Sequence, residues 1–313
     1  MSKYVMPPCV RKTTIGGQAV IEGISMKGPQ KTCLTVRKPD GTLDYQERPT
    51  RRATKGFWKL PIARGAYTLF TALKEGMDDI NYSAQFFEDE SVGEPSRFER
   101  WVEDHISSEK LEKILMGVAM VLGTLLPIIL FIVAPTLIVG FLPEGAPYFV
   151  RSLLEGLVRI ILFLIFMWSV SHMKDIERTF RYHGAEHKTI FCYEAGLPLT
   201  VENVRSMPRF HPRCGTSFMI VMMIIPILIF AFVQMDNVWL RMALRLLLLP
   251  VVVGVAYECN RYAGRHDNLF CRAIRWPGLQ MQKLTVFEPD DSMIEVAIAG
   301  MERVIPADES DNW

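Results

Sequence analysis

Apolar and polar positions fall in blocks along this chain. One uncharged run extends from Ile114 to Pro143 and another from Ser217 to Met235. About 20 apolar residues cross a bilayer as a helix, so both runs predict membrane spans. Two further apolar stretches carry charges. Phe149 to His172 contains Arg151, Glu155 and Arg159, and Val238 to Tyr257 contains Arg241 and Arg245. The pattern predicts a mainly α, polytopic membrane protein with four transmembrane helices. Two spans remain open, with the charged stretches re-entrant or packed on the surface.

The loops orient these spans. Pro143 to Tyr148 and Asp236-Asn237 contain no Lys or Arg, whereas Met173 to Thr216 contains Lys174, Arg178, Arg181, Lys188, Arg205, Arg209 and Arg213. Arg97, Arg100, Lys110 and Lys113 precede the first span, and Arg261, Arg265, Arg272 and Arg275 follow the last. The positive-inside rule places both termini and the middle segment in the cytoplasm. Charges inside spans need partners. Arg151, Glu155 and Arg159 share one helical face, so a Glu155–arginine network reaching Arg241 or Arg245 is one expectation; snorkelling to the outer head groups is the other.

Outside the spans, Lys31 to Arg37 alternates, Pro39-Asp40-Gly41 turns, and a second strand follows from Leu43, a hairpin pattern. Gly16 to Gly23 lacks the Lys-Ser/Thr of a phosphate-binding loop and predicts tight turns or a close approach to the candidate catalytic loop. Pro61 to Phe87 predicts a helix with an apolar stripe through Leu69, Phe70 and Leu73, lying on the membrane surface or in a cytoplasmic core. Glu88 to Glu109 predicts a linker. Asp290-Asp291 starts a helix whose Ile294, Ala297, Ile298 and Met301 line one face and dock on the cytoplasmic domain, with Ala307 to Trp313 frayed beyond it. The expected organisation is a cytoplasmic β unit (1–60), an amphipathic helix and linker (61–110), a four-span domain (111–260) with a cytoplasmic motif loop (173–216), and a C-terminal segment with a helix (261–313).

Composition narrows the class. Of 313 residues half are hydrophobic, and the net charge of +1 gives no support for nucleic-acid binding. The expected partner is the lipid bilayer. Met1 to Pro8 lacks the apolar core of a secretory signal. The 6 cysteines form no Cys-x-x-Cys pair, so no disulfide framework is expected.

The candidate chemistry sits in Tyr182-His183-Gly184-Ala185-Glu186-His187-Lys188. On a helix, His183, Glu186 and His187 occupy i, i+3 and i+4, one face. Two imidazoles one turn apart can share a divalent metal, with the Glu as base or ligand, and His-x-x-Glu-His is the inverzincin spacing. Two surface histidines on a basic loop are the plainer account. His211-Pro-Arg-Cys214 can supply two more ligands, and Glu258, unless it pairs with Arg261, another. His172 lies too far along a continuous helix to join the same ion.

Together, Gly16-Gly-Gln-Ala-Val-Ile-Glu-Gly, the His183–His187 segment, His211-Pro-Arg-Cys-Gly-Thr-Ser, Tyr257-Glu258 and Pro277-Gly-Leu-Gln-Met-Gln-Lys-Leu-Thr resemble the bacterial membrane family labelled domain of unknown function 1385. That resemblance implies a predicted metal-dependent enzyme of the bacterial cytoplasmic (inner) membrane. Three functions follow as expectations. The first is metal-assisted hydrolysis at the cytoplasmic face, with zinc on His183 and His187, Glu186 as general base, and Glu258, His211 or Cys214 as third ligand. The second is a scaffold or assembly factor whose structural metal is closed by His183, His187, His211 and Cys214. The third is a small transporter using the Glu155–arginine network.

Overall fold

A computed structural model describes residues 9–51, 56–87, 118, 121–123, 125–127, 129–141, 147–230, 238–308 and 310–311. The expected linker after residue 88, the loop at 236–237 and the terminal residue Trp313 lie outside the described residues.

Four strands form one antiparallel sheet in chain order: β1 (Gly16–Val20), β2 (Gly23–Lys27), β3 (Lys31–Arg37) and β4 (Leu43–Pro49). The β3–β4 hairpin is the expected one. Asp40 Oδ1 accepts the Thr42 N–H at 2.8 Å and holds its turn. The Gly16–Gly23 segment is a second hairpin, in which Val20 faces Gly23 across a two-residue turn. Glu22 in that turn adopts a φ of 50°. Its glycines conceal the strand, because they break the alternation that marks one.

Period-2 alternation gives the sheet two buried faces. Ile24, Met26 and Cys33 face one core, and Val20, Leu34 and Val36 face another. The first core is closed by α4 (Lys174–Glu194), α5 (Val201–Arg205) and α9 (Asp291–Val304), through Tyr182, Phe191, Val204, Met293, Ile294 and Met301. The side chain of Asp290 caps α9, accepting the Met293 N–H at 3.1 Å. The C-terminal helix thus docks on the sheet. Burying each large apolar side chain there contributes about 1.5–3 kcal/mol.

The second face is covered by α1 (Pro61–Ala84), with Tyr82, Phe86 and Phe87 packed on it. Arg48 pairs with the buried Asp79 of α1, and Lys27 with Glu75 at 2.9 Å. The other half of α1 crosses α7 (Val238–Arg265). A Cβ on Gly65 would lie 2.8 Å from the Cα of Gly254, so the helices touch backbone to backbone. This helix therefore struts the sheet against the apolar helices while Phe70, Leu73 and Met77 stay exposed.

Among the described residues, two helices are long and apolar enough to cross a membrane: α2 (Val121–Gly140) and α3 (Tyr148–Ser171). Only 6% and 11% of their apolar windows are buried, the reverse of a soluble core helix. A shorter apolar helix, Phe218–Phe230, forms most of α6 (Gly215–Phe230). Of the four expected spans, two thus meet the required length and hydropathy among the described residues. In α2, residues Ile129–Val133 are π-helical just ahead of Pro135. Pro135 has no N–H for the Phe131 carbonyl, and Arg159 Nε of α3 donates to that carbonyl at 2.7 Å. The same guanidinium pairs with Glu155 at 3.2 Å, and Thr136 also donates to Glu155. The side chains of Arg241 and Arg245 lie outside the described residues.

The chain does not run from α3 into α4 as one helix. It breaks at His172-Met173, where Met173 is extended, and His172 folds back on Trp168. Finally, α8 (Leu269–Thr285) starts at Asn268, whose side chain accepts the Cys271 N–H at 2.8 Å. It continues through Pro277, which masks it in the sequence. Met281 of α8 joins Met167 of α3 and Ile220 of α6 in a third cluster with Phe180. That cluster sets α4 against the apolar helices.

Candidate metal centre

The motif segment is the middle of α4, so His183, Glu186 and His187 do share one face. The neighbouring motif residues fix where that face points. Gly184 lies against the strand-like segment after α8; a Cβ there would fall 2.0 Å from the Phe287 carbonyl oxygen. Phe287 N–H donates to the Phe180 carbonyl at 3.0 Å. Tyr182 Oη donates to Glu22 at 3.1 Å, and Arg178 forks onto the same carboxylate. Buried Lys188 donates to the Arg205 carbonyl at 2.9 Å and pairs with Glu288. The helix is thereby clamped to the β1–β2 turn, α5 and the α8–α9 connection.

Both imidazoles are oriented by backbone. His183 Nδ1 lies 2.9 Å from the Thr285 carbonyl, and His187 Nδ1 lies 2.6 Å from the Arg209 carbonyl. A carbonyl only accepts, so each Nδ1 carries a proton and each Nε2 is the ring atom left to face the site. Cys214 Sγ lies 3.3 Å from His183 Nε2. One ligand atom from each of His183, His187 and Cys214 falls within 4.8 Å of the others. Two nitrogens and a sulfur at this spacing fit around a single zinc-sized ion. Thr216 donates to the sulfur through its N–H at 3.4 Å and its hydroxyl at 3.3 Å.

Electrostatics fit the same assignment. Burial alone would push the Cys214 thiol up, but the imidazoles of His187 and His183 outweigh it and hold it well below its ordinary range. Burial works against charge on His183, and the Cys214 sulfur with the Glu186 carboxyl overrides it, raising the imidazole to about 9. Both shifts favour the charged form of the pair, thiolate beside imidazolium, and a divalent cation can take the place of the proton between them.

Glu186 stands beside these three side chains. Its Oε2 is 4.0 Å from His183 Nε2 and, among the described residues, has no hydrogen-bond partner. Burial raises the carboxyl, partly offset by the imidazoles of His183 and His187. Gly17 of β1 packs against it, so that a Cβ there would lie 3.1 Å from the carboxyl carbon. The Gly16-Gly17 signal is thus a close approach of sheet edge to site rather than a phosphate loop.

The other candidates lie outside the His183–His187–Cys214 cluster. The His211 ring sits 5.6 Å from that of His187, centroid to centroid. Its Nε2 is 3.5 Å from Glu194, which also pairs with Arg213 and accepts the Thr13 N–H at 2.8 Å. Burial lowers His211 to about 4 despite Glu194, so it is neutral near pH 7. Gln282 of α8 holds its backbone, accepting from His211 N–H at 2.8 Å and donating to its carbonyl at 2.7 Å. Glu258 on α7 is engaged by Arg64 of α1 through both carboxylate oxygens. Sequence reasoning missed Glu194 and the two orienting carbonyls. Gln282 lay inside a quoted motif, but nothing marked its partner.

A cavity of about 650 Å³ opens from the centre. His183, Glu186, His187 and Cys214 form one wall, β1 runs along a second, and Leu69, Leu73, Met77 and Ile80 of α1 form a third. The arrangement can hold a cation, place a carboxylate beside it and admit a partly apolar molecule.

The family described as "Protein of unknown function (DUF1385)" matches residues 60–307. The "Uncharacterized protein YqhQ" of Bacillus subtilis (strain 168) is 34% identical over 315 residues, covering 97% of this chain and 95% of the relative. No solved structure matches.

Proposed function

The chain belongs to the DUF1385 family, and we propose that it is a zinc-dependent hydrolase of the bacterial inner membrane, working at the cytoplasmic face. One observation carries the reading: His183, His187 and Cys214 converge within 4.8 Å beside the buried Oε2 of Glu186, which has no hydrogen-bond partner among the described residues, on the wall of an accessible cavity. Three protein ligands with an open position form the catalytic rather than the structural pattern. Zinc, when bound, supplies Lewis-acid polarisation of a carbonyl and lowers the pKa of water. Glu186 does the proton work. It takes a proton from the attacking water at Oε2 and passes it to the leaving amine or alcohol, so a peptide bond or a lipid-linked ester is split with one water consumed.

The closed structural site is less well supported, because His211 is held by Glu194 and Gln282. Transport is also less well supported. The cavity beside Glu155 and Arg159 holds about 10 Å³, room for roughly one water.

We place four spans in the membrane, α6 and α7 joining α2 and α3, with both termini and α4 on the cytoplasmic side. The Lys and Arg distribution and the outward apolar faces of α2 and α3 support this. A cysteine placed at Pro147 is then labelled from outside and one at Glu202 is not; the opposite pattern rejects the topology. Metal analysis of detergent-purified protein tests the centre itself. His183→Ala loses stoichiometric zinc and Glu186→Gln retains it. Full zinc in His183→Ala would reject the proposed ligand.

A further inference from the structure

β1 is the edge of the sheet, and its free side borders the metal centre. Two observations fix which peptide groups face outward. Gly17 pairs with Met26 and Ala19 with Ile24, in an antiparallel register closed by the two-residue turn. The two-residue turn makes Val20–Gly23 a hydrogen-bonded pair, so Gly17 and Ala19, three and one residues before Val20, are the positions not bonded to β2. Peptide groups alternate along a strand, so those of Gly17 and Ala19 face the open edge together. Among the described residues, no hydrogen bond closes the Gly17 carbonyl or either peptide group of Ala19. Gly17 and Gln18 are exposed, and β1 from Gly16 to Ala19 lines the cavity. Across it, Leu73 and Met77 of α1 are 61% and 60% exposed, an apolar wall facing a row of unmade backbone hydrogen bonds.

We propose that the substrate is a polypeptide, bound extended as a fifth strand on the free edge of β1, with apolar side chains against α1. The inference rests on the hydrolase reading and names its substrate class. A strand's edge recognises another peptide through backbone hydrogen bonds, while the facing pockets select side chains. An acyl chain would fill the apolar wall but leave the edge groups of β1 unmet, which a peptide satisfies. The geometry also fits cleavage. Gly17 touches Glu186, and Glu186 lies 4.0 Å from His183, so a strand paired to β1 passes its backbone carbonyls along the ligands.

The test separates binding from turnover. Full-length Glu186→Gln protein in detergent is titrated with a fluorescein-labelled peptide of alternating Leu and Thr, followed by anisotropy. The same peptide is then N-methylated at odd or at even positions. Edge pairing uses only every second peptide N–H, so one series should weaken binding about tenfold or more per site and the other little. Ala19→Pro removes an outward N–H without touching the β2 ladder and should weaken the unmethylated peptide, with the melting temperature as the control for folding. Equal loss in both series, no binding, or displacement by a phospholipid without register dependence would overturn the inference. Register-dependent binding by a wild-type zinc-loaded protein that never cleaves would leave the strand site standing and reject the hydrolase. Ester or lipid hydrolysis without peptide binding would do the reverse.

Discussion

A Cβ on Gly17 would sit 3.1 Å from the carboxyl carbon of Glu186, so sheet edge and carboxylate are in contact only because Gly17 has no side chain. The same atom would lie 3.0 Å from the Ser25 carbonyl oxygen, which cannot move without shifting the ladder. Gly17→Ala must therefore displace the Glu186 side chain. We expect zinc content to stay at the wild-type level and complementation of a deletion strain to fall, since a misplaced catalytic group costs on the order of tenfold to a hundredfold in rate. Wild-type complementation by this variant would show that the position of Glu186 is unimportant.

The ligands and the acid separate by phenotype. His187→Ala and Cys214→Ser should lose zinc, and cobalt substitution should show a thiolate charge-transfer band in the wild type that Cys214→Ser lacks. Glu186→Gln should keep the band and lose function by about 10² to 10⁴ in rate. His211→Ala should retain zinc. Zinc loss in His211→Ala would restore the closed four-ligand site as the better account.

Glu258 should behave as a strut. Its carboxylate meets Arg64, tying α7 to α1. Glu258→Gln should lower the melting temperature in detergent while zinc remains bound. Loss of zinc with no change in melting would argue instead that Glu258 reaches the metal.

Buried Glu194 contributes an acid-side stability limit. Burial would raise its carboxyl, but His211, Arg213 and the Thr13 N–H hold it below its ordinary value. A carboxyl depressed on folding stabilises above the unfolded value, about 4.3, and that stabilisation is lost as pH falls through the folded value. Glu194→Gln should flatten the acid limb of a melting-versus-pH curve and, by leaving Arg213 unpaired, cost about 3 kcal/mol at neutral pH. An unchanged acid limb would assign it to other groups.

The Arg159 contact offers a double-mutant cycle. Arg159→Met strands the Phe131 carbonyl and should destabilise by about 1–3 kcal/mol. Pro135→Ala restores an N–H for that carbonyl, so Arg159→Met should cost less in that background. Strict additivity would mean that Arg159 acts only through Glu155.

Much of this was legible in the chain because it rests on local periodicity. The His183–Glu186–His187 face follows from 3.6-residue spacing, the Lys31–Pro49 hairpin from alternation around Asp40-Gly41, and the docking of α9 from its capping Asp290 and apolar stripe. The ion pair of Glu155 with Arg159 follows from i,i+4 spacing. What stayed hidden is long-range or carried by backbone. No side-chain pattern encodes the Thr285 and Arg209 carbonyls that orient the imidazoles. Strand β1 is disguised by Gly16 and Gly17, the residues its contact with Glu186 requires. The partnership of Glu258 with Arg64 spans 194 positions, so its nearer neighbour Arg261 was the natural sequence expectation.

The orientation of His183 also depends on a part of the chain that is synthesised later. The carbonyl that fixes its ring lies 102 positions further along the chain. While synthesis has not reached Thr285, His183 can turn either nitrogen toward Cys214, and the pair cannot discriminate among cations by geometry. Once α8 emerges and places that carbonyl, only Nε2 remains on offer. If the centre takes zinc as proposed, its loading waits for α8, and a chain stalled before α8 would present the two side chains without a defined preference for any ion.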